Sequence, residues 1–292
     1  LILYIQKKRG TKTGKKRIHL SIMSRPEELA PPEVFYNDNE SNKYTTSTRV
    51  QHIQAKMTLR ALELLNIPPN SFVLDVGCGS GLSGEILTEE YGHVWCGLDI
   101  SPSMLATGLR REVEGDLMMQ DMGQGVPFRA GTFDAAISIS AIQWLCYADT
   151  KYHEPQKRLM RFFNGLFASL KKGGKFVAQF YPKDDDHVEQ IQHAAKLAGF
   201  SGGLVIDDPE SKKNKKYYLV LTSGAPSVQD QQVNLEGVTM DEQEKISNAR
   251  RKKNERESTK NYVMRKKELM KRRGRQVTHD SKFTGRKRRP RF

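Results

Sequence analysis

Phe72-Val73-Leu74-Asp75-Val76-Gly77-Cys78-Gly79-Ser80-Gly81 is the stretch on which the fold turns. Its first five residues form a short apolar run, the pattern of a buried strand. Glycines at 77, 79, 81 and 84 follow, and helical spacing then runs from about Ser83 to Glu90. Glycine has no Cβ, so a ligand can lie directly against such a backbone. The helix behind the turn offers free N–H groups and a positive end, which suit a phosphate or a carboxylate. The glycines read as missing the spacing of the dinucleotide fingerprint. Asp75, at the strand end, would repel a pyrophosphate but could hold an amino group. The stretch therefore favours a zwitterionic amino-acid ligand.

Outward from it, strand and helix alternate. Residues 49–66 have helical spacing, ended by Pro68-Pro69-Asn70. Residues 24–48, with Pro26, Pro31, Pro32 and a polar run, are expected to begin irregular. Val94 to Asp99 is a second strand, and Ser101-Pro102 supplies an N-cap and first turn for the next helix. Leu117 to Gln120 is a weaker third strand and Phe133 to Ser140 a fourth. A long amphipathic helix through Leu159, Phe162, Phe163, Leu166 and Leu170 is expected to stop at Gly173-Gly174, before a fifth strand over 175–181. Residues 187–198 are helical, and 204–206 with 217–221 form a closing hairpin. This is an α/β, Rossmann-like succession: a mostly parallel sheet with an antiparallel edge strand and helices on both faces.

Ligands of open α/β sheets bind beyond the carboxyl ends of the strands. Asp99 ends the second strand and can accept both hydroxyls of a ribose, or cap the helix at Ser101-Pro102. Asp121 can accept an adenine amino proton with Met122 as apolar cover, or serve a turn. Ser140, Gln143 and Trp144 follow the fourth strand. Gln143 could hydrogen-bond a substrate base and Trp144 could stack on one, or the tryptophan could plug the core beside Ile142 and Leu145. Tyr36 and Tyr44 could close over the ligand as a lid, or simply pack.

The net charge of +14 is unevenly placed. Residues 1–22 hold seven Lys/Arg and no acid, and residues 245–292 hold twenty Lys/Arg against four acids. The body between them is acidic, at −9. Basic tails on an acidic body point to a polyanionic partner met by the tails. Composition changes at Met23, so residues 1–22 read as an upstream extension outside the fold. Residues 23–70 form an N-terminal lid and helix, 71–224 the central domain, 225–245 a linker and 246–292 a basic RNA-binding and nuclear-targeting tail. Lys271-Arg272-Arg273 and Arg286-Lys287-Arg288-Arg289 suit a nuclear import signal. Cys78, Cys96 and Cys146 lie in apolar runs without metal-ligand spacing, as buried free thiols of a reducing compartment would. No apolar stretch reaches the length of a membrane span.

Asp75–Gly81, Gly97 to Ser101, Gly115 to Gly123 and Phe133 to Trp144 resemble class I methyltransferases in order and spacing. More narrowly, Pro31-Pro32-Glu33-Val34-Phe35-Tyr36, Ser138 to Leu145 and Phe283-Thr284-Gly285-Arg286-Lys287-Arg288 resemble the eukaryotic small-subunit (18S) ribosomal RNA guanine-N7 methyltransferases. The resemblance spans residues 23–292. It implies a seven-stranded sheet and S-adenosyl-L-methionine as cofactor. The cofactor would be held by Tyr44, Asp75, Gly77, Cys78, Gly79, Gly81, Asp99, Ile100, Asp121, Met122 and Ser140, with no metal. It also implies a pre-40S substrate, a small zinc-binding activator subunit as heterodimer partner, and placement in nucleolus, nucleoplasm and cytoplasm.

Guanine N7 carries a lone pair and no proton, so its methylation needs no general base. That agrees with site segments that offer no His or Lys in such a role. Ser140, Gln143 and Trp144 are thus acceptor-site candidates, with no acid–base residue named. Two other functions fit the same residues: a ribosome assembly factor that acts mainly by binding, and a methyltransferase for another acceptor with an unrelated basic tail.

Overall fold

A computed structural model describes residues 25–148, 153–211 and 214–224, with scattered positions between 264 and 284. The N-terminal extension, the linker and most of the basic tail lie outside the described residues. The chain divides into two units, Leu1–Ser227 and Val228–Phe292. In the second, the Lys267 ammonium meets Asp280 at 2.7 Å and donates to the Thr278 carbonyl.

The first unit opens with helices α1 (Pro32–Phe35), α2 (Asp38–Thr46) and α3 (Thr48–Leu65). Strand β1 (Phe72–Val76) follows, then α4 (Leu82–Tyr91), β2 (Val94–Asp99), α5 (Pro102–Arg110) and β3 (Asp116–Met119). The rest is β4 (Phe133–Ile139), α6 (Pro155–Ser169), β5 (Leu170–Phe180), α7 (Asp185–Leu197), β6 (Phe200–Asp207) and β7 (Lys216–Ser223). The strands form one seven-stranded sheet in the order β3-β2-β1-β4-β5-β7-β6. β1 to β5 are parallel, and β7 runs antiparallel to both β5 and β6. The strand order reverses between β1 and β4, where open α/β sheets form their binding crevice.

Alternation along the strands builds two cores. Leu74, Val76, Cys96, Leu98, Ala136, Phe176 and Phe180 join the apolar stripes of α6 and α7 on one face. Val73, Trp95, Ala135, Ile137 and Val177 meet α3, α4 and α5 on the other. On α6, Leu159, Phe162, Phe163 and Leu166 are fully buried, each burial worth about 1.5–3 kcal/mol. α5 begins as expected, with the Ser101 hydroxyl accepting from the Met104 N–H at 3.2 Å.

Three expectations need correction. Residues 24–48 are largely helical, in a 3₁₀ turn at Pro26–Glu28 and in α1 and α2. Pro26 and Pro32 stand at the first helical position, where the missing N–H costs nothing, and Pro31 is the N-cap of α1. The Asn37 side chain caps α2 by accepting from Asn39 and Glu40. Gly173-Gly174 does not stop α6: the helix ends at Ser169, and Leu170 is already extended as the first residue of β5. Gly173 instead sits at φ 78° in an irregular stretch of that strand. Finally, β4 ends at Ile139, because Ser140 turns into the left-handed region at φ 59°.

Candidate active site

The carboxyl ends of β1, β2 and β4 surround a cleft of about 830 Å³, open mouth included. After β1 the chain turns through Gly77 and Gly79, both at positive φ. The N–H groups of Gly77 and Cys78 donate to the Leu98 carbonyl at 2.7 and 3.0 Å, which pins this loop over the end of β2. Gly77, Cys78, Gly79 and Ser80 line the cleft. Gly81 does not line it; it forms the left-handed N-cap of α4.

Asp75 is fully buried and lies behind Ser83, a lining residue whose hydroxyl donates to Oδ2. Its Oδ1 is buried without a hydrogen-bond partner. Burial raises this carboxyl to about 7, against the pull of the Ser83 hydrogen bond and with help from nearby Asp99. A buried carboxylate with an unfilled lone pair is costly unless a donor reaches it. A ligand ammonium would meet that need.

Asp99 lines the cleft at the end of β2. Its Oδ2 accepts from Gly79 N–H at 2.7 Å and its Oδ1 from Ser101 N–H at 2.8 Å. Burial pushes its pKa up, while backbone N–H groups of Ser101, Gly79 and Ile100 pull it back. An ionised carboxylate offers about four acceptor positions, so both oxygens retain capacity for a ligand diol. The bracing and ligand-binding readings of Asp99 are thus compatible.

Asp121 and Met122, after β3, also line the cleft. Asp121 Oδ1 caps its turn through Gly123 N–H at 2.8 Å and meets Arg158 Nη2 at 3.0 Å. Arg158, on α6 and 5% exposed at its side chain, was not legible as a site residue. In sequence it is one more cation on a helix, and only the fold brings it to Asp121. Gln54, Met104 and Gln120 are further lining residues without a sequence signal.

Tyr36 and Tyr44 both line the cleft, edge to face with ring centroids 5.8 Å apart. Their segment is stitched to the body: Ser101 Oγ donates to Tyr36 O at 2.9 Å, Ser103 Oγ to Asp38 at 2.6 Å and Thr45 Oγ1 to Ser80 Oγ at 2.8 Å. Burial drives both phenols well above their usual range, so they remain neutral. Ser140 and Trp144 line the wall after β4, with Tyr36 6.0 Å from the Trp144 ring. Ser140 Oγ donates to Gln179 Oε1 at 2.7 Å. Gln143 is not among the lining residues: it lies behind the wall, 3% exposed. Burial also pushes the thiols up, Cys96 to about 11 and Cys146 to about 12, so neither is a thiolate at neutral pH.

The cleft thus carries a carboxylate suited to a diol, Asp99, and a carboxylate beside an apolar cover, Asp121 with Met122, while the buried Asp75 lies behind its Ser83 wall. With the switch-point sheet, this arrangement defines a Rossmann-like methyltransferase, and a methyltransferase-domain family model matches residues 74–178. The chain belongs to the 18S rRNA (guanine-N7)-methyltransferase family. A relative of that name from Saccharomyces cerevisiae, specified for guanine 1575, is 74% identical over 275 residues, covering 92% of this chain and 100% of the relative. A Dictyostelium discoideum protein described as a probable member is 49% identical, covering 92% of this chain and 100% of its own length. The Mus musculus member is 46% identical, covering 92% and 98%. A second family model, described as a methyltransferase involved in Williams-Beuren syndrome, matches residues 207–290.

Proposed function

We propose that this chain transfers the methyl group of S-adenosyl-L-methionine to N7 of a guanine in small-subunit ribosomal RNA during pre-40S assembly. The observation that carries the cofactor assignment is the buried, unpartnered Oδ1 of Asp75 beside the glycine loop. Asp75 would hold the ammonium group, Asp99 the ribose hydroxyls and Asp121 the adenine amino group, with Met122 against the ring. Bound there, the cofactor supplies an electrophilic methyl group. Guanine N7 has no proton to lose, and among the residues lining the cleft none is His or Lys. The chain's part is to hold both reactants in line at near-attack distance and to exclude water, with Tyr36 and Tyr44 covering the cofactor.

The partner and the compartment extend the same reading. β3 is an edge strand whose Met119 is 65% exposed. An uncovered apolar edge invites pairing, and the small zinc-binding activator subunit would cover it. The basic tail would track RNA phosphates and direct the protein to nucleolus and nucleoplasm, with some in the cytoplasm. No described helix is long and apolar enough to cross a membrane.

The test is transfer of label from radioactive cofactor to purified pre-40S particles, with activator present, followed by mapping of the modified base. Label should fall on one guanine N7, and Asp99→Ala should lower it by roughly 30-fold through loss of charge-assisted hydrogen bonds. Label on another acceptor, or none, would refute the assignment. A further expected result concerns Arg158. Arg158→Met leaves Asp121 with one hydrogen bond fewer, so the dissociation constant for S-adenosylhomocysteine should rise about tenfold, as for loss of a charged hydrogen bond. Calorimetric titration reads this, and an unchanged constant would show that Arg158 does not position Asp121 for the ligand.

A further inference from the structure

Beside the Ser140–Trp144 wall sits a cluster that the cofactor does not use. The Gln143 amide nitrogen donates to Glu27 Oε1 and to the Ser140 carbonyl, both at 2.9 Å. Gln143 Oε1 is buried with no partner, and so is the Tyr147 hydroxyl. The residues flanking Glu27 are tied down: Arg25 donates to the Tyr181 carbonyl at 3.0 Å, and Glu28 pairs with Lys183 at 3.0 Å. Glu27 has no cationic partner among the described residues. Its charge lies close enough to Tyr36 and Tyr147 to raise both phenols. Tyr36, Ser140 and Trp144 all line the cleft. Glu27, held by the Gln143 amide and without an ionic partner among the described residues, therefore sits beside the wall that follows β4, next to the residues that line the cleft.

We propose that Glu27, aligned by Gln143, reads the acceptor guanine by accepting its N1–H and 2-amino hydrogens. This rests on the function proposed above. A guanine that presents N7 to the methyl group turns N1–H and the 2-amino group away from it, as two adjacent donors. A carboxylate accepts both as a fork, and the Gln143 amide, held behind the wall, fixes the orientation of that carboxylate. Adenine offers a lone pair at N1 instead, which a carboxylate repels. Aromatic Tyr36 and Trp144 supply faces for an unstacked base.

The pairing also strengthens during the reaction. The N7 lone pair forms the new C–N bond, the electrons of the breaking S–C bond return to sulfur, and the positive charge passes to the purine with no proton lost. N1–H becomes a stronger donor as that charge develops, so its bond to Glu27 is worth more in the transition state than before it.

The experiment uses the full chain with its activator and reconstituted small-subunit particles that carry either guanine or hypoxanthine at the acceptor position. Hypoxanthine keeps N7 and N1–H but lacks the 2-amino group. Wild type should methylate guanine about tenfold faster than hypoxanthine. Glu27→Gln should methylate guanine about 100-fold more slowly, with the guanine-to-hypoxanthine ratio near one and cofactor affinity unchanged. A purely structural role for Glu27 would slow both bases equally, and a ratio kept at the wild-type value overturns the proposal. Absence of label on guanine with wild type would instead refute the activity on which it rests.

Discussion

Asp75→Asn should raise the melting temperature of the ligand-free protein at pH 8 while weakening cofactor binding roughly a thousandfold, as expected for loss of a buried ion pair. The two effects have one cause. Burial lifts the Asp75 carboxyl from 3.8 to about 7, so the folded protein holds a proton there that the unfolded chain releases above pH 4. The contribution to stability is fully present below the unfolded value and is lost as pH rises through about 7. A shift of this size is worth a few kcal/mol. Asparagine never ionises and keeps an oxygen for Ser83, so it escapes that loss. At pH 5 only about a third of that loss has accrued, so the variant should gain correspondingly less. For binding, the sign reverses, because the ligand ammonium needs the carboxylate. Wild-type affinity for S-adenosylhomocysteine should therefore increase with pH up to about 7 and then level, whereas the variant should bind weakly at every pH. Thermal melts at pH 5 and pH 8 with calorimetric titration check both halves. A variant equally destabilised at the two pH values, with unchanged affinity, would show that Oδ1 faces no ligand.

That argument draws on a residue visible in the sequence, but its force came from the structure. Asp75 at the end of an apolar run marked the strand and suggested a ligand class. Its burial, the Ser83 contact and the unfilled Oδ1 did not show in one dimension. The glycines alone were less discriminating than they looked. Counted from Gly79, the positions 79, 81 and 84 do match the dinucleotide spacing, so Asp75 and not the spacing separates the two ligand classes. β1, β2, β4 and the hairpin of β6 with β7 were legible because short apolar runs bounded by turn residues have few other solutions. Residues 24–48 misled because proline breaks a helix only from its second turn onward, and here it stands in the first. The end of α6 misled because Leu170 continues the helical apolar spacing into the first position of β5. Arg158, Glu27 and Gln54 carry no local signal. Each reaches the cleft or its wall only through contacts between elements distant in sequence, as Glu27 does to Gln143.

Gly77→Ala should abolish methyl transfer and destabilise the protein, and Ala141→Gly should restore part of both. Gly77 holds φ at 74°, and a Cβ built there would lie 2.2 Å from the Ala141 Cβ. Two separable costs follow. The left-handed backbone costs a non-glycine residue about 1–2 kcal/mol, and the overlap costs about 1–3 kcal/mol more, as in other overpacked sites. The overlap is with a Cβ fixed to the main chain, so no rotamer change relieves it. Ala141 leads into the 3₁₀ turn Ile142–Cys146, which carries Gln143 and Trp144. A displacement there moves the wall proposed for the acceptor, while a shift of Gly77 itself breaks its 2.7 Å bond to Leu98 and moves the glycine loop proposed for the cofactor. One methyl group thus disturbs both reactants, which is why the loss of activity should exceed the loss of stability. Ala141→Gly alone should cost less than about 1 kcal/mol, the usual penalty of glycine for alanine. In the double variant the overlap is gone and the backbone cost remains, so the two substitutions should show a coupling energy of about 1–3 kcal/mol in urea melts. Strict additivity would place the whole penalty in the Gly77 backbone and free Ala141 from any part in it.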